Sequence, residues 1–533
     1  MAIIKKTRER TRERTRTRTT PDHVDMANRM PNNNVMKCFT AVFKPLIFTQ
    51  LVLCTILLWT QVDVSNHCNY AKCIVCNEPS KMPILRLWSS TELPDYFDNI
   101  QNIFNRLGYR NQPMSGSPSW DVYWCHEYPG REFFSRFVNA RRSTDPAYQK
   151  VNHFPGIGEI VTKSRLVKEG GKFIPPAFLI PEEKDAFFKE VNDNAAKNRT
   201  WMQKGRHQGG VLIKDTKDLD LKSPTIIQEF VANPFLIEGY KFNMGVYIVL
   251  TSINPLRAYI LDSTVSLRFG GKKYIHGNYV DGTTYNTDIK GRQMSYGIAS
   301  IWTKLKRFAY GRIKTLNHHF QEKGNSSIVR KQIYEAVRDV LVTRERPMQL
   351  HKNSPPNSNN VQGIFFEIMR CDFLIDDNLG VHLIEINMSP DLSADSHPSE
   401  KIFKEHVGFN CFHGPLLTDV RKHGVRSSSL SSLRVSDINA GIAVCFNPKC
   451  VECQEKDCSI CTHCMSKEAV YMVKLAYAEH INRQNLRRVY PEEMTREEAV
   501  TYDGTDDANL SVNNRLTRAW FRAKCIGDSY WCN

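Results

Sequence analysis

Residues 363–393, GIFFEIMRCDFLIDDNLGVHLIEINMSPDLS, restrict what this chain can fold into more than any other stretch. They read as one β-hairpin. An apolar run through Phe366, Ile368 and Phe373 leads into the turn cluster DDNLG at 376–380, and a second run, VHLIEIN, leads away. With Asp376 paired to Val381 the loop has four residues and Asp372 stands opposite Glu385. Strand side chains alternate, so Asn387 shares the face of Glu385. Two acids opposed across a strand pair repel unless a cation lies between them. Two carboxylates and an amide oxygen are ligands of the kind Mg²⁺ takes. A solvated polar face is the other outcome of such spacing.

The chain has 533 residues, 41% hydrophobic and 24% charged, enough for two or three compact units and unlike a disordered chain. Its net charge is +16, partly because residues 1–20 carry eight Lys/Arg against two Glu. Such a run is a solvated arm that suits acidic partners, of which RNA and anionic lipid are generic examples. The remainder is still basic and suits an acidic macromolecular substrate. Nucleic acid is not the expected partner.

Residues 45–62, PLIFTQLVLCTILLWTQV, are the one long apolar run and carry no charge. The length is near the lower limit for a spanning helix, and Trp59 is placed like an interfacial anchor. A single-pass transmembrane or signal-anchor helix is expected, with a signal-peptide core as the alternative. Lys37 and Lys44 precede it and little positive charge follows, so the charge rule sends the main domain out of the cytosol. Eight of the 16 cysteines lie beyond residue 440. Behind a signal-anchor they suggest disulfides. The spacings Cys450-x2-Cys453, Cys458-x2-Cys461 and Cys461-x2-Cys464, with His463 beside them, equally suit Zn²⁺. Glycosylation sequons occur at Asn198, Asn325, Asn387 and Asn509.

The expected organisation is a basic arm (1–44), the membrane helix (45–62), a Cys-bearing stalk (63–85), a globular domain (86–420), a linker (421–437) and a Cys-rich C-terminal region (438–533). A helix over 328–344 presents Val329, Ile333, Val337, Val340 and Leu341 on one face. The globular domain carries, in order, Lys163 after NHFPG, Lys204 before a Gly-rich loop, the short strand IIQEFV with Gln228 and Glu229, the strand KFNMGVYIVLTS entered by Lys241 and Asn243, Arg268 at the end of LDSTVSLRF, and the acid hairpin. A lone lysine of this kind is usually a surface charge. The order of the whole set is more informative.

These segments resemble the tubulin–tyrosine ligase-like family of ATP-grasp ligases. The resemblance runs from about Asn152 to Leu392, most specifically at NHFPG (152–156), QEFVANPFLIEGYKF (228–242), VYIVLTSINPLRAYI (246–260) and FLIDDNLGVHLIEINMSPDL (373–392). It implies an α+β ATP-grasp domain in which two sheet-bearing lobes clamp ATP, and a tubulin polyglutamylase-like activity. Lys163 and Lys204 would neutralise phosphates, and Gln228 would face adenine with the backbone of Glu229, Phe230 and Val231 at its edge. Lys241 and Asn243 would sit at the nucleotide, Asp372, Glu385 and Asn387 would hold Mg²⁺, and Arg268 would face the substrate. In the family a carboxylate becomes an acyl phosphate and is attacked by an amino acid's amine. Glutamate as co-substrate and the acidic tails of tubulin or microtubules as acceptor are the implied partners.

Three departures stand against the pattern. The family's KFDLR is KFNMG here, with Asn243 for the acid and Gly245 for the arginine. The phosphate loop carries Lys204-Gly205 and QGG at 208–210 in place of a lysine-proline and GRG. No H-L-T-N block is found, IHGNYV at 275–280 being at best a remnant. Losing one transition-state donor costs about 2.7–4 kcal/mol. A catalytically impaired nucleotide-binding protein, or a lumenal ligase acting on another protein, are therefore the alternatives to a tubulin ligase.

Overall fold

A computed structural model of the chain describes residues 82–90, 94–112, 120–130, 132–135, 149–193, 199–206, 211–214, 216–261, 264–287, 293–297, 324–350, 363–390, 392, 408, 411, 433–440, 445, 448–454, 456–502 and 510–533. The chain divides into residues 1–75 and 76–533, and every described residue belongs to the second unit. The basic arm, the apolar run 45–62, the QGG segment and the sequons at Asn198 and Asn509 lie outside the described residues. Among the described residues no helix is long and apolar enough to cross a membrane.

The strands, in chain order, are β1 (Ile84–Trp88), β2 (Arg110–Asn111), β3 (Val122–Cys125), β4 (Lys150–Asn152), β5 (Ala177–Ile180), β6 (Trp201–Gly205), β7 (Val211–Lys214), β8 (Thr225–Glu229), β9 (Leu236–Ile237), β10 (Tyr240–Ile253), β11 (Leu256–Leu261), β12 (Thr264–Phe269), β13 (Gln293–Gly297), β14 (Phe365–Ile375), β15 (Val381–Met388) and β16 (Leu486–Tyr490). The helices that matter here are α1 (Lys163–Glu169), α2 (Gly324–Gln349), α3 (Lys467–Ile481) and α4 (Val512–Gly527). Strand β1 begins inside the segment expected as a stalk, because Ile84 and Leu85 are buried in the sheet.

Among the described residues two sheets form. The smaller has the order β5-β8-β6-β7. The larger runs β13-β12-β10-β14-β4-β3-β1-β2, with β15 on β14, β9 and β11 on β10, and β16 on β11. Together with the helices they make a mixed α/β fold.

Strand β10 is the axis of the larger sheet. Its apolar run is nearly continuous because both faces are covered. Met244, Val246, Ile248 and Leu250 enter one core, where α2 contributes Val329, Ile333, Val337, Val340 and Leu341. That is the helix face expected from the sequence, on a helix that extends further at both ends. Tyr247 and Val249 enter a second core with Tyr259, Phe366 and Ile368. On this second face the apolar pattern stops at Gly245, and Asn243 and Lys241 follow.

The acid hairpin forms by a route the sequence did not show. Ile375, not Asp376, pairs with Val381, so the turn is one residue longer than expected. A register shift between Asp372 and Phe373 then restores Asp372 to Glu385. The longer turn is held by the Asp376 carboxylate, which accepts from the backbone N–H of Asn378 (2.9 Å) and Gly380 (2.8 Å). Leu379 takes a left-handed φ of 65° inside it.

The Cys-rich region is built into the same sheet. Strand β16 pairs antiparallel with β11. Fully buried Arg257 of β11 forks onto Glu479 of α3, at 2.8 Å through Nε and 3.0 Å through Nη2, and the Thr251 hydroxyl donates to the same carboxylate at 2.8 Å. Asn514 of α4 accepts from the Leu256 N–H at 2.7 Å. Four disulfides staple the region: Cys445–Cys461, Cys450–Cys458, Cys453–Cys464 and Cys525–Cys532. The zinc alternative is not supported. Cys453, His463 and Cys464 do lie close together, but the two sulfurs are bonded to each other and His463 Nε2 meets the Cys450 carbonyl at 2.7 Å. A sulfur in a disulfide is not a thiolate ligand.

Two outcomes follow. Arg257→Ala leaves Glu479 buried without its partner, and the urea midpoint falls by the equivalent of about 3–5 kcal/mol. In the unfolded, unreduced protein the eight cysteines from Cys445 to Cys532 resist alkylation; after reduction they react, and elemental analysis finds no bound zinc.

Candidate functional site

Strand register gathers the polar residues on one face of β12, β10, β14 and β15. Asn243 pairs with Arg268, Gly245 with Asp372, Asp372 with Glu385, and Arg370 with Asn387. Lys241 lies two residues before Asn243 and so shares its face.

The centre of this face is the acid pair. Asp372 is 1% exposed. Its Oδ2 accepts from Arg268 Nη2 at 2.5 Å and from the Asn387 amide at 3.1 Å. Arg370 forks onto it, Nε to Oδ1 at 2.7 Å and Nη2 to Oδ2 at 3.0 Å. The Asn387 amide also reaches Glu385 Oε1 at 3.2 Å, and Lys163, the first residue of α1, places its ammonium 3.3 Å from Glu385 Oε2. Burial raises the Asp372 carboxyl above its ordinary range, helped by Glu385, even against the two arginines. Burial also pushes Glu385 upward, but Lys163 and the hydrogen bonds of Asn387 and Asp372 hold it at about 2. Burial and charge thus pull the two acids in opposite directions, Asp372 upward and Glu385 downward.

This donor set fits a divalent cation. One atom of the Asn387 amide lies within 3.2 Å of both carboxylates. Oxygens around Mg²⁺ at about 2.1 Å are roughly 3 Å apart. Amide oxygen and nitrogen are assigned from hydrogen bonding, and turning the amide over brings an oxygen to that distance from one oxygen of each carboxylate.

The smaller sheet supplies a second group. Lys204 on β6 is 6% exposed, and its ammonium donates to Gln228 Oε1 on β8 at 2.7 Å. Gln228 is fully buried and gives its own amide to the Pro175 carbonyl at 3.1 Å. Its side chain therefore holds Lys204. Burial, and then the like charge of Lys163, lower the Lys204 ammonium to about 8, with Glu385 opposing. The two lysines and Glu385 thus feel one another across the two sheets. At the end of β8, the N–H groups of Glu229 and Phe230 donate to the carbonyls of Pro176 and Thr200, both at 2.8 Å. A cavity of about 310 Å³ lies beside this connection and is lined by Glu229, Phe230 and Val231. Lys241 lies over the Phe230 ring, 5.9 Å from its centre.

Asn243 donates to the Thr287 hydroxyl at 3.0 Å, while its Oδ1 is buried with no hydrogen-bond partner among the described residues. The segment IHGNYV at 275–280 borders the cavity, with Tyr279 edge-on to the Phe230 ring at 5.4 Å and His276 Nδ1 3.2 Å from the Ala232 carbonyl, but it does not supply the contact to Asn243. Ile275 and Val280 are exposed, at 54% and 97%. Thr287, in TTYNT, takes that place, and the sequence reading missed it.

The NHFPG motif braces the hairpin. The Asn152 side chain pairs with both backbone groups of Cys125, each at 2.7 Å. Buried His153 meets Glu367 of β14 through Nδ1 at 2.9 Å, and its Nε2 lies 3.2 Å from the Ser389 hydroxyl, just past β15. This fixes the exit of the strand that carries Asn387.

The tubulin-tyrosine ligase family model matches residues 141–421, more than half of the chain. The chain belongs to that family. A probable tubulin polyglutamylase, ttll-15 of Caenorhabditis elegans, is 30% identical over 500 residues, which cover 89% of this chain and 91% of the relative. Human tubulin polyglutamylase TTLL7 is 26% identical over 362 residues, 62% of this chain but 38% of its own length. Mouse tubulin monoglutamylase TTLL4 is 25% identical over 277 residues, 47% of this chain and 22% of its own. The matched region contains every site residue named above, from Lys163 to Asn387.

Lys204 generates a pH signature. Its ammonium titrates near 8 in the folded chain against 10.5 unfolded, so between those values the unfolded chain binds more protons and stability rises with pH. Lys204→Met removes the cost of burying that charge. The variant melts above the parent at pH 7, and its advantage shrinks as pH climbs from about 8 toward 10.5. Thermal melts across that range check this.

Proposed function

We propose that this protein is an ATP- and Mg²⁺-dependent ligase that joins an amino acid, glutamate, to carboxylates of an acidic protein, with tubulin tails as the first candidate acceptor. The observation that carries the reading is the convergence of Asp372, Glu385 and Asn387 on the larger sheet with Lys163 of α1 and Lys204 of the smaller sheet, two carboxylates and two ammonium groups from three separate elements. Family membership and relatives named tubulin polyglutamylase support it.

Bound ATP would supply the phosphoryl group that makes a substrate carboxylate electrophilic, by way of an acyl phosphate. Phosphoryl transfer asks the protein for positioning and charge neutralisation more than covalent help. Asp372, Glu385 and Asn387 would hold the cation. Lys163 and Lys204 would meet phosphate charge, and Lys241 with Asn243 would border the nucleotide. Arg268 stands at the edge of the acid pair, where a substrate carboxylate would find a guanidinium.

A second reading concerns the acceptor. Four disulfides in the C-terminal region favour an oxidising compartment. There the acceptor is an acidic protein other than tubulin.

The test is purified protein with Mg²⁺-ATP, labelled glutamate and microtubules. Expected are label on tubulin, a melting temperature raised by Mg²⁺-ATP, and loss of about a hundred-fold or more of incorporation in Glu385→Gln. A raised melting temperature without incorporation moves the acceptor away from tubulin. No response to Mg²⁺-ATP by melting or by calorimetry ends the reading.

A further inference from the structure

Gly245 is the sharpest departure from the family pattern, since a glycine retains nothing of the arginine in KFDLR. Strand β10 gives no backbone reason for a glycine there, because the residue is ordinary extended strand. The reason lies on the neighbouring strand. A Cβ at position 245 would stand 2.8 Å from Arg370 Cδ, 3.2 Å from Arg370 Cγ and 3.2 Å from Asp372 Oδ1. The Arg370 side chain therefore crosses directly over the glycine, in the space where a side chain at 245 would begin.

Register explains the crossing. Gly245 is the cross-strand partner of Asp372, and Arg370 lies two residues before Asp372 on the same face. From there Arg370 passes over Gly245 and grips Asp372 with Nε and Nη2 at 2.7 and 3.0 Å. A forked contact fixes the plane of a carboxylate as well as neutralising it. Nη1 is not used in this grip, and no partner for it is found among the described residues.

We propose that Arg370 supplies, from β14, the guanidinium that the family pattern carries at position 245, so that the site is rewired across the strand pair. Arg370 is a positioning residue for Asp372, and Gly245 is the clearance that lets it reach. This inference rests on the ligase reading and deepens it: the glycine is the complement of Arg370, not the mark of a lost activity. The two positions then form one unit in which a single arginine fits, from either strand.

The experiment is a reciprocal swap in the full chain: Gly245→Arg, Arg370→Gly and the double variant, each read by melting temperature without ligand, by the shift on adding Mg²⁺-ATP, and by glutamate incorporation. Gly245→Arg alone drives two arginines into one space and lowers the ligand-free melting temperature. Arg370→Gly frees Asp372, shrinks the Mg²⁺-ATP shift and cuts incorporation by about a hundred- to a thousand-fold. The double variant regains the melting temperature lost by Gly245→Arg and brings incorporation to within about tenfold of the parent, the compensation expected of coupled neighbours. Arg370→Lys keeps the charge without the fork; it melts close to the parent, yet needs more Mg²⁺ for half-maximal stabilisation by ATP. A double variant no better than its worse single, or an Arg370→Lys protein with the parent's Mg²⁺ dependence, overturns the proposal. A parent that does not respond to Mg²⁺-ATP counts against the ligase reading instead. The ligand-free melting temperatures then still decide whether positions 245 and 370 share one place, by whether the double variant outlasts Gly245→Arg.

Discussion

Two carboxylates facing each other across adjacent strands govern the arrangement around them. Asp372 and Glu385 are direct partners on β14 and β15, and the first is almost wholly buried. Left alone, such a pair opposes the sheet that holds it. Arg268, Arg370, Asn387 and Lys163 all turn inward to it. Even so, burial draws the Asp372 carboxyl above its ordinary range, while Lys163 holds Glu385 below its own against burial. So much positive charge gathered on two neighbouring acids measures what it costs to bury them in one place.

The second sheet adds charge at a further cost. Lys204 is buried beside Gln228, and its ammonium is weakened by burial and by Lys163. An anion entering between the sheets would relieve both penalties and restore the charged form. Destabilising electrostatics of this kind, acids crowded on one sheet and ammonium groups crowded against them, mark a binding site more than a core. The apolar scaffold absorbs the cost: β10 is covered on both faces, with α2 on one side and the second core on the other.

The hairpin could be read from sequence because its alternation and its acid spacing are local. Even there, the facing of Asp372 and Glu385 was right while the turn was one residue longer, because the Asp376 carboxylate captured a wider loop and a bulge recovered the register. Helix α2 showed its buried face through periodicity alone. Gln228 was visible, but its service to Lys204 was not, since that hydrogen bond joins residues 24 apart across two strands. Arg370 and Thr287 were missed for a similar reason. Arg370 lies two residues from Asp372 and reads as one polar residue in an apolar run until Gly245 is laid beside it. Thr287 matters only once the chain folds back over Asn243. Local pattern reveals which residues are odd, and cross-strand register reveals why.

The C-terminal region connects the chemistry to its surroundings. Strand β16 extends the sheet through β11 and β10 toward the acid pair, and Arg257 with Glu479 binds α3 to that sheet in a buried ion pair. Breaking such a pair leaves a charge in a dry interior, so the region stays docked while the protein is folded. The four disulfides and the acid pair therefore belong to one folded unit, and whatever compartment surrounds the one surrounds the other. Disulfides persist where thiols are not kept reduced, and tubulin resides where they are. The redox state of the cysteines beyond residue 440 in the cell therefore reports the compartment of the acid pair without any assay of ligation.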